Sequence, residues 1–163
     1  MRFRIITSAS LVIWLLSSFT QEHQPRVLSF DDFEPHLHFS DETTYLVNFW
    51  ATWCTPCVDE LPAFERISSE YKESNVKVLL VSLDFPKQLE SRLLPFLEKH
   101  NIRSEVLVLS DPDANKWIDK VDAEWSGAIP ATLIYNSRSR EFHEGSYTYE
   151  ELKSKVEQKL KKN

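Results

Sequence analysis

The sequence predicts an α/β fold in which a mixed β-sheet lies between layers of helices. Two nearly uninterrupted apolar runs, at 45–51 and 76–83, are rich in valine and leucine, as strands buried on both faces are. A helical pattern at about 55–72 separates them, which predicts a right-handed parallel strand–helix–strand unit. Two later strands, at 131–135 and 141–144, are joined by a short polar link that is typical of an antiparallel hairpin.

The helix between the first two strands is predicted from the spacing of its apolar residues. They recur every three or four positions, which describes one helix face. These residues are Val58, Leu61, Phe64, Ile67 and Tyr71. Pro62 lies inside this helix and is expected to bend it without a chemical role.

The other elements are predicted from weaker patterns. In chain order they are a helix at 86–100 kinked by Pro95, a strand at 105–109, a helix at 114–121 begun by the acidic residues around Pro112, and a closing helix at 149–161. The segment 21–42 shows only a short amphipathic turn, formed by Phe30, Phe33 and Leu37.

The first twenty residues resemble a secretory signal. Arg2 and Arg4 precede an apolar run at 5–19, and no acidic residue occurs before Glu22. We therefore expect a signal peptide at 1–20 and one domain at 21–163, exported to a periplasmic or other extracytoplasmic compartment. The alternative is an uncleaved membrane anchor, although the run is shorter than the ~20 apolar residues of a typical membrane span.

The charge of the chain argues against nucleic-acid binding. The 163 residues carry a net charge of −6, and loss of the two arginines in residues 1–20 would change it by two further units to −8. An acidic domain repels the phosphate backbone. The sequence shows no glycine-rich phosphate loop, no repeat and no second domain boundary. We expect a monomer without a cofactor.

The two cysteines are the residues that indicate chemistry. Cys54 and Cys57 are three positions apart, and a chain of this length can bury a core without a disulfide staple. Cys54 follows a buried strand and begins a helix, where backbone N–H groups and the helix dipole stabilise a thiolate. Cys54 is therefore the expected nucleophile, and Cys57 the residue that resolves the mixed disulfide. Thr55 and Pro56 are expected to influence the reduction potential.

A cysteine pair at this spacing has two other interpretations. A zinc site needs two further ligands, and the chain has no other cysteine and only scattered histidines, at 23, 36, 38, 100 and 143. We therefore expect no metal. A purely structural disulfide stays open as an alternative.

Three segments together resemble the TlpA/ResA branch of the thioredoxin superfamily, which contains exported disulfide reductases. They are Asn-Phe-Trp-Ala-Thr-Trp-Cys-Thr-Pro-Cys at 48–57, Glu-Leu-Pro at 60–62 and Gly-Ala-Ile-Pro-Ala-Thr-Leu at 127–133. The resemblance implies a thioredoxin-like three-layer fold with the extra central βα insertion of this branch. It also implies a cis bond between Ile129 and Pro130, next to the cysteines, in a loop that binds an extended substrate peptide.

Two positions depart from ordinary thioredoxins and favour this branch. Asn48 occupies the position of a buried aspartate that acts as a proton acceptor in thioredoxins. Glu60 lies one helical turn after Cys57 and is the candidate for that role, with its pKa raised by burial. The alternative is an exposed helix glutamate.

The tryptophans are interpreted by their position in the chain. Trp53 precedes the nucleophile and is expected to shield it from water and to contact substrate. Trp50, Trp117 and Trp125 are predicted to belong to the core.

The sequence therefore predicts an extracytoplasmic thiol–disulfide oxidoreductase that reduces protein disulfides through Cys54 and Cys57. Its partners would be protein dithiols and disulfides, and the resemblance suggests a thiol electron donor in the membrane. Contact with the membrane itself is expected only if the N-terminal segment stays uncleaved. A thiol peroxidase and a redox-inert binding module are the alternatives, and the sequence does not predict the direction of electron flow.

Overall fold

The computed structural model describes residues 24–161, which form a six-stranded mixed sheet flanked by helices. The strands are β1 (Arg26–Leu28), β2 (Thr44–Trp50), β3 (Val76–Ser82), β4 (Glu105–Leu109), β5 (Ala131–Asn136) and β6 (Ser139–Glu144). Their order across the sheet is β1-β4-β3-β2-β5-β6. The first four are mutually parallel, and β5 is antiparallel to both of its neighbours. The mixed α/β sheet predicted from the sequence is confirmed.

The helices lie between or after these strands. They are α1 (Phe30–Phe33), α2 (Thr55–Glu70), α3 (Leu94–Lys99), α4 (Ile118–Val121) and α5 (Tyr149–Lys161). The predicted bounds of α5 and β4 agree with the structure, those of β2 are shifted by one residue at each end, and β3 ends one residue earlier than predicted. These elements are predictable because continuous apolar runs and regular helical spacing arise from the side chains that the elements bury.

Strand β1 was not predicted. Its three residues are mostly exposed, and its backbone pairs with β4, Val27 lying opposite Val108. A three-residue edge strand has no hydrophobic pattern that a sequence could show. The amphipathic turn predicted after it is present, because Phe30, Phe33 and Leu37 are all buried.

The two helices predicted after β3 and β4 are irregular. The segment 86–100 consists of a 3-10 turn at Pro86–Gln88, a π-helical stretch at Leu89–Leu93 and the short α3. Pro95 lies in the first turn of α3, where its missing N–H costs nothing, so the change of winding precedes the proline. The predicted helix at 114–121 is likewise divided at Trp117, and Asp113 makes no side-chain cap there.

The sheet separates two hydrophobic clusters, and alternation along β2 assigns its residues to them. Tyr45, Val47 and Phe49 belong to the cluster under α1 and α4. Leu46 and Trp50 belong to the cluster under α2, α3 and α5. Since strand side chains alternate between the two faces, Asn48 lies on the face that α2 covers.

The predicted signal segment at 1–20 lies outside the described residues. Within residues 24–161, no helix has both the length and the apolar character that a bilayer crossing needs.

Candidate active site

The two cysteines lie at the N-terminus of α2. Cys54 is the N-cap residue, with an extended backbone, and Cys57 is one turn further into the helix. They are joined by a disulfide, with their Cα atoms 5.3 Å apart. The backbone N–H of Cys57 donates to Sγ of Cys54 at 3.3 Å. A thiolate on Cys54 would therefore keep a hydrogen bond at the positive end of the helix dipole.

The two sulfurs differ in access. Cys54 retains 6% of its surface, whereas Cys57 has none. Cys54 is thus the more exposed of the two cysteines, which fits the roles expected from their order. The intervening Thr55 and Pro56 are exposed on the first turn of the helix.

The loop before β5 lies against the nucleophilic sulfur. The Ile129–Pro130 peptide bond is cis, and the carbonyl oxygen of Ile129 is 3.7 Å from Sγ of Cys54. Pro130 is buried and Ile129 half-buried. Gly127 shapes this loop with a φ of +90°, and a Cβ there would approach Cδ1 of Ile118 to 2.9 Å. The loop and the cysteines, about 75 residues apart in the chain, therefore form one site.

Glu60 points inward from α2 and is nearly fully buried, with 4% exposure. The alternative of an exposed helix glutamate is therefore wrong. Removal from water raises the pKa of Glu60 from 4.5 to about 7. Hydrogen bonds donated by the backbone N–H of Tyr147 and by the side chain of Asn48 oppose this rise. Glu60 can thus exchange a proton near neutral pH.

Asn48 is a direct partner of Glu60. Its Nδ2 donates to Oε1 of Glu60 at 2.8 Å and to Oγ1 of Thr132 at 3.1 Å. All three side chains are buried, and Thr132 lies opposite Asn48 in the β2–β5 ladder. The position that distinguishes this chain from thioredoxins is therefore part of the same polar cluster as the candidate acid.

The loop between β6 and α5 connects the two parts of the site. The N–H of Gly145 donates to the carbonyl oxygen of Pro130 at 2.9 Å. Two residues later, the N–H of Tyr147 donates to Oε2 of Glu60 at 2.7 Å. One short loop thus positions both the proline loop and the buried acid, and no sequence pattern indicated it.

Asp84 is a second buried acid, and the sequence did not predict its role. It follows β3, is 2% exposed, and accepts hydrogen bonds from the N–H of Thr52 at 2.9 Å and from its Oγ1 at 2.5 Å. Ser82 Oγ donates to the same carboxylate at 2.9 Å. The only signal in the sequence was an acidic residue just after a buried strand. Asp84 holds the backbone just before Trp53 and Cys54.

Replacing Asp84 by alanine is expected to lower the free energy of unfolding by about 2–3 kcal/mol, because the donors on Thr52 and Ser82 lose their carboxylate acceptor. It should also slow disulfide exchange at Cys54, since the segment before it loses its anchor. Urea unfolding and exchange rates measure the two effects. Asp59→Ala, which removes an exposed carboxylate near the cysteines, is the control. Equal effects of both variants would contradict the role assigned to Asp84.

The tryptophans divide as predicted between core and surface. Trp50, Trp117 and Trp125 are buried. Trp53 is 51% exposed beside the nucleophile, which provides an apolar surface for a partner.

A mixed sheet with a CxxC disulfide at a helix N-terminus, facing a cis-proline loop, defines a thioredoxin-like protein. Residues 29–140 match the family model described as the AhpC/TSA family. The chain belongs to that family.

Curated relatives and solved structures are similar to the chain over its central part. Thioredoxin-like protein YneN of Bacillus subtilis is 28% identical over 117 residues, which are 69% of this chain and 62% of YneN. Thiol-disulfide oxidoreductase ResA of Halalkalibacterium halodurans is 27% identical over 104 residues, which are 63% of this chain and 54% of ResA. The chain thus matches little more than half the length of these relatives.

Among solved structures, a thiol:disulfide interchange protein of the thioredoxin family from Chlorobium tepidum superimposes with a TM-score of 0.62. It is 19% identical, and the match covers 78% of this chain and 84% of that one. This likeness shows the thioredoxin-like fold.

Proposed function

We propose that this protein is an extracytoplasmic thiol–disulfide oxidoreductase that reduces protein disulfides through Cys54 and Cys57. One observation carries the proposal: Cys54, at the N-cap of α2 and 6% exposed, is bonded to a fully buried Cys57 and lies 3.7 Å from the cis-proline loop. The relatives named as thiol–disulfide oxidoreductases support it.

The reaction is a two-electron exchange. The thiolate of Cys54 attacks one sulfur of a substrate disulfide, forming a mixed disulfide and releasing the first substrate thiolate. Cys57 then attacks the sulfur of Cys54, which releases the second thiolate and restores the Cys54–Cys57 disulfide. The substrate gains two electrons and the protein loses them. A dithiol partner must return them, and we propose a thiol donor in the membrane for this step.

Glu60 would accept the proton of the Cys57 thiol. The thiol of Cys57 must lose its proton before it attacks, and Cys57 is fully buried. Glu60 follows it by one helical turn and has a pKa near 7, suited to accepting a proton at neutral pH. A cleft of about 520 Å³, lined in part by Pro56, Glu60 and Tyr147, opens beside this acid. Water in this cleft would carry the proton away.

The surface around Cys54 would bind an extended peptide. The proline loop presents backbone groups for strand-like pairing, with Ile129 and the exposed Trp53 as apolar contacts. Thr55 and Pro56, between the cysteines, would adjust the reduction potential.

The proposed location depends on residues 1–20 alone. Their basic start and apolar run support a secretory signal, with 21–163 as the working domain. Fusing residues 1–20 to a reporter that is active only outside the cytoplasm tests this, and a reporter that stays inactive would contradict export.

The activity is tested by the equilibrium of the cysteine pair with glutathione, together with reduction of a protein disulfide. We expect a potential near that of thioredoxin, about −270 mV, and loss of turnover in Cys54→Ser. A potential near about −120 mV would indicate an oxidant instead. A value below about −300 mV, with partner binding retained in the double serine variant, would favour a structural disulfide. Catalytic decomposition of peroxide would favour a thiol peroxidase.

A further inference from the structure

The side-chain amide of Asn48 uses only one of its two ends. Nδ2 donates to Glu60 and to Thr132. Oδ1 is buried and has no hydrogen-bond partner among the residues that the structure describes. A buried side-chain carbonyl oxygen without a hydrogen-bond partner is costly. The two hydrogen bonds that Nδ2 donates, to Glu60 and to Thr132, therefore set the orientation of this amide.

The present orientation suits an ionised Glu60. Oε1 receives a hydrogen bond from Asn48, and Oε2 receives one from the backbone of Tyr147. When Glu60 gains a proton, one of these oxygens becomes a donor and a poor acceptor. The N–H of Tyr147 belongs to the backbone and cannot reverse. The amide of Asn48 can, by rotating about its last side-chain bond.

We propose that Asn48 rotates its amide by half a turn when Glu60 takes up a proton on Oε1, so that Oδ1 accepts hydrogen bonds from Glu60 and Thr132. The inference rests on the proposed function, in which Glu60 changes its protonation state during each cycle. The proton comes from the thiol of Cys57 during exchange, or from water when the disulfide form is titrated. Asn48 is thus a positioning residue that acts through Glu60.

Both partners of Asn48 permit this reversal. A carboxyl group accepts hydrogen bonds when ionised and donates one when neutral, and the hydroxyl of Thr132 can do either. The ionised arrangement leaves one carbonyl oxygen unpaired, and the neutral arrangement leaves the NH₂ group unpaired. Asn48 therefore holds Glu60 in place in both states, whereas an aspartate at position 48 would place a second ionisable carboxyl against it.

Nuclear magnetic resonance of the disulfide form tests the rotation directly. Above the titration midpoint of the Glu60 carboxyl carbon, we expect a nuclear Overhauser contact between the Asn48 side-chain NH₂ and the γ-methylene of Glu60. Below the midpoint this contact should disappear, and its loss should follow the same pH dependence as the titration of the Glu60 carboxyl carbon. A contact that persists unchanged while Glu60 titrates would overturn the proposal.

Glu60→Gln provides a fixed imitation of the protonated state. Its side-chain oxygen can accept from Tyr147, and its NH₂ group can then donate only to Oδ1 of a rotated Asn48. We expect the contact from the Asn48 NH₂ group to the γ-methylene of residue 60 to be absent at every pH. Its presence in this variant would overturn the proposal.

Two further variants separate the amide's effect from a general loss of packing. Asn48→Leu keeps the branched shape of the side chain without its polar groups and should raise the titration midpoint of Glu60 by about one pH unit, because the ionised form loses a donor. Thr132→Val is the matched control in the same strand pair. It removes a partner of Asn48 in both orientations, so it should move the midpoint less and leave the loss of the contact at low pH intact. Equal midpoint shifts in the two variants would contradict the role of Asn48.

The titration needs no redox partner, so a failure of the rotation can be distinguished from a failure of the proposed activity. If the contact never changes while protein disulfides are still reduced, the rotation fails and the function stands. If the contact changes but no disulfide is reduced, the proposed function fails instead.

Discussion

Replacing Cys57 by serine is expected to turn transient exchange into stable capture of a substrate protein. Cys54 keeps its position at the helix N-cap and can still attack a disulfide. The sulfur that would release the product is missing, so the mixed disulfide accumulates and turnover falls by about three orders of magnitude or more. Non-reducing electrophoresis and mass spectrometry of the captured complexes measure the result.

The matched controls for this experiment are Cys54→Ser and the double serine variant. Neither has the nucleophile, so neither should capture a partner covalently. Capture by Cys54→Ser, through Cys57, would reverse the roles assigned here and would require the buried sulfur to become accessible. Absence of any captured protein with Cys57→Ser would contradict the exchange mechanism.

Glu60→Gln is expected to remove a large pH dependence from the stability of the domain. The pKa of Glu60 is about 7 in the folded chain, against 4.5 for a carboxyl in water. Between these values the folded state binds a proton that the unfolded state does not, so the free energy of unfolding falls as the pH rises from about 4.5 to 7. The difference between the two pKa values corresponds to about 3 kcal/mol in the free energy of unfolding, and this stabilisation is lost in full above pH 7.

Glutamine has no charge to bury, so the free energy of unfolding of this variant should not decline between about pH 4.5 and 7. Relative to the native protein, the variant should be most stable at about pH 8. Urea unfolding of the disulfide form across pH 4 to 9 measures it. Asp59→Asn, which neutralises an exposed carboxylate on the same helix, should keep the native pH dependence. If the free energy of unfolding changed with pH in the same way in Glu60→Gln and in the native protein, the pKa of Glu60 would lie near its ordinary value.

The exchange rate supplies a second measurement on the same variant. Without a proton acceptor beside it, Cys57 should resolve mixed disulfides more slowly at neutral pH, by about 10²-fold. The deficit should shrink at alkaline pH, where the thiol of Cys57 ionises by itself.

Much of the fold was predictable because its strands and longer helices bury continuous or periodic sets of side chains. The runs that became β2 and β3 lie in the middle of the sheet, and α2 buries Leu61, Phe64 and Ile67 at the predicted spacing. Glu60 was also predictable as a candidate, since it follows Cys57 by one helical turn in a segment that carries the family resemblance, and the structure places it on the buried face of this helix.

Elements whose form depends on a partner were not predictable. Strand β1 exists because β4 offers an open edge to its backbone. The segment after β3 changes its winding twice before α3, although its apolar spacing predicts one helix. Backbone pairing and local helix winding depend little on the identity of a few half-exposed side chains, so the sequence does not predict them.

The sequence by itself indicated the candidate residues for exchange: a cysteine pair at the start of a helix and, through the family resemblance, a proline before a strand and a glutamate one turn further on. Only the tertiary structure decided how they act together. It brings Asn48, Glu60 and Thr132 into one buried cluster, and it places Tyr147 and Asp84 as hydrogen-bonding supports. These residues come from different strands, loops and a helix, and hydrogen bonds between distant segments depend on packing geometry, which local patterns of hydrophobicity do not record.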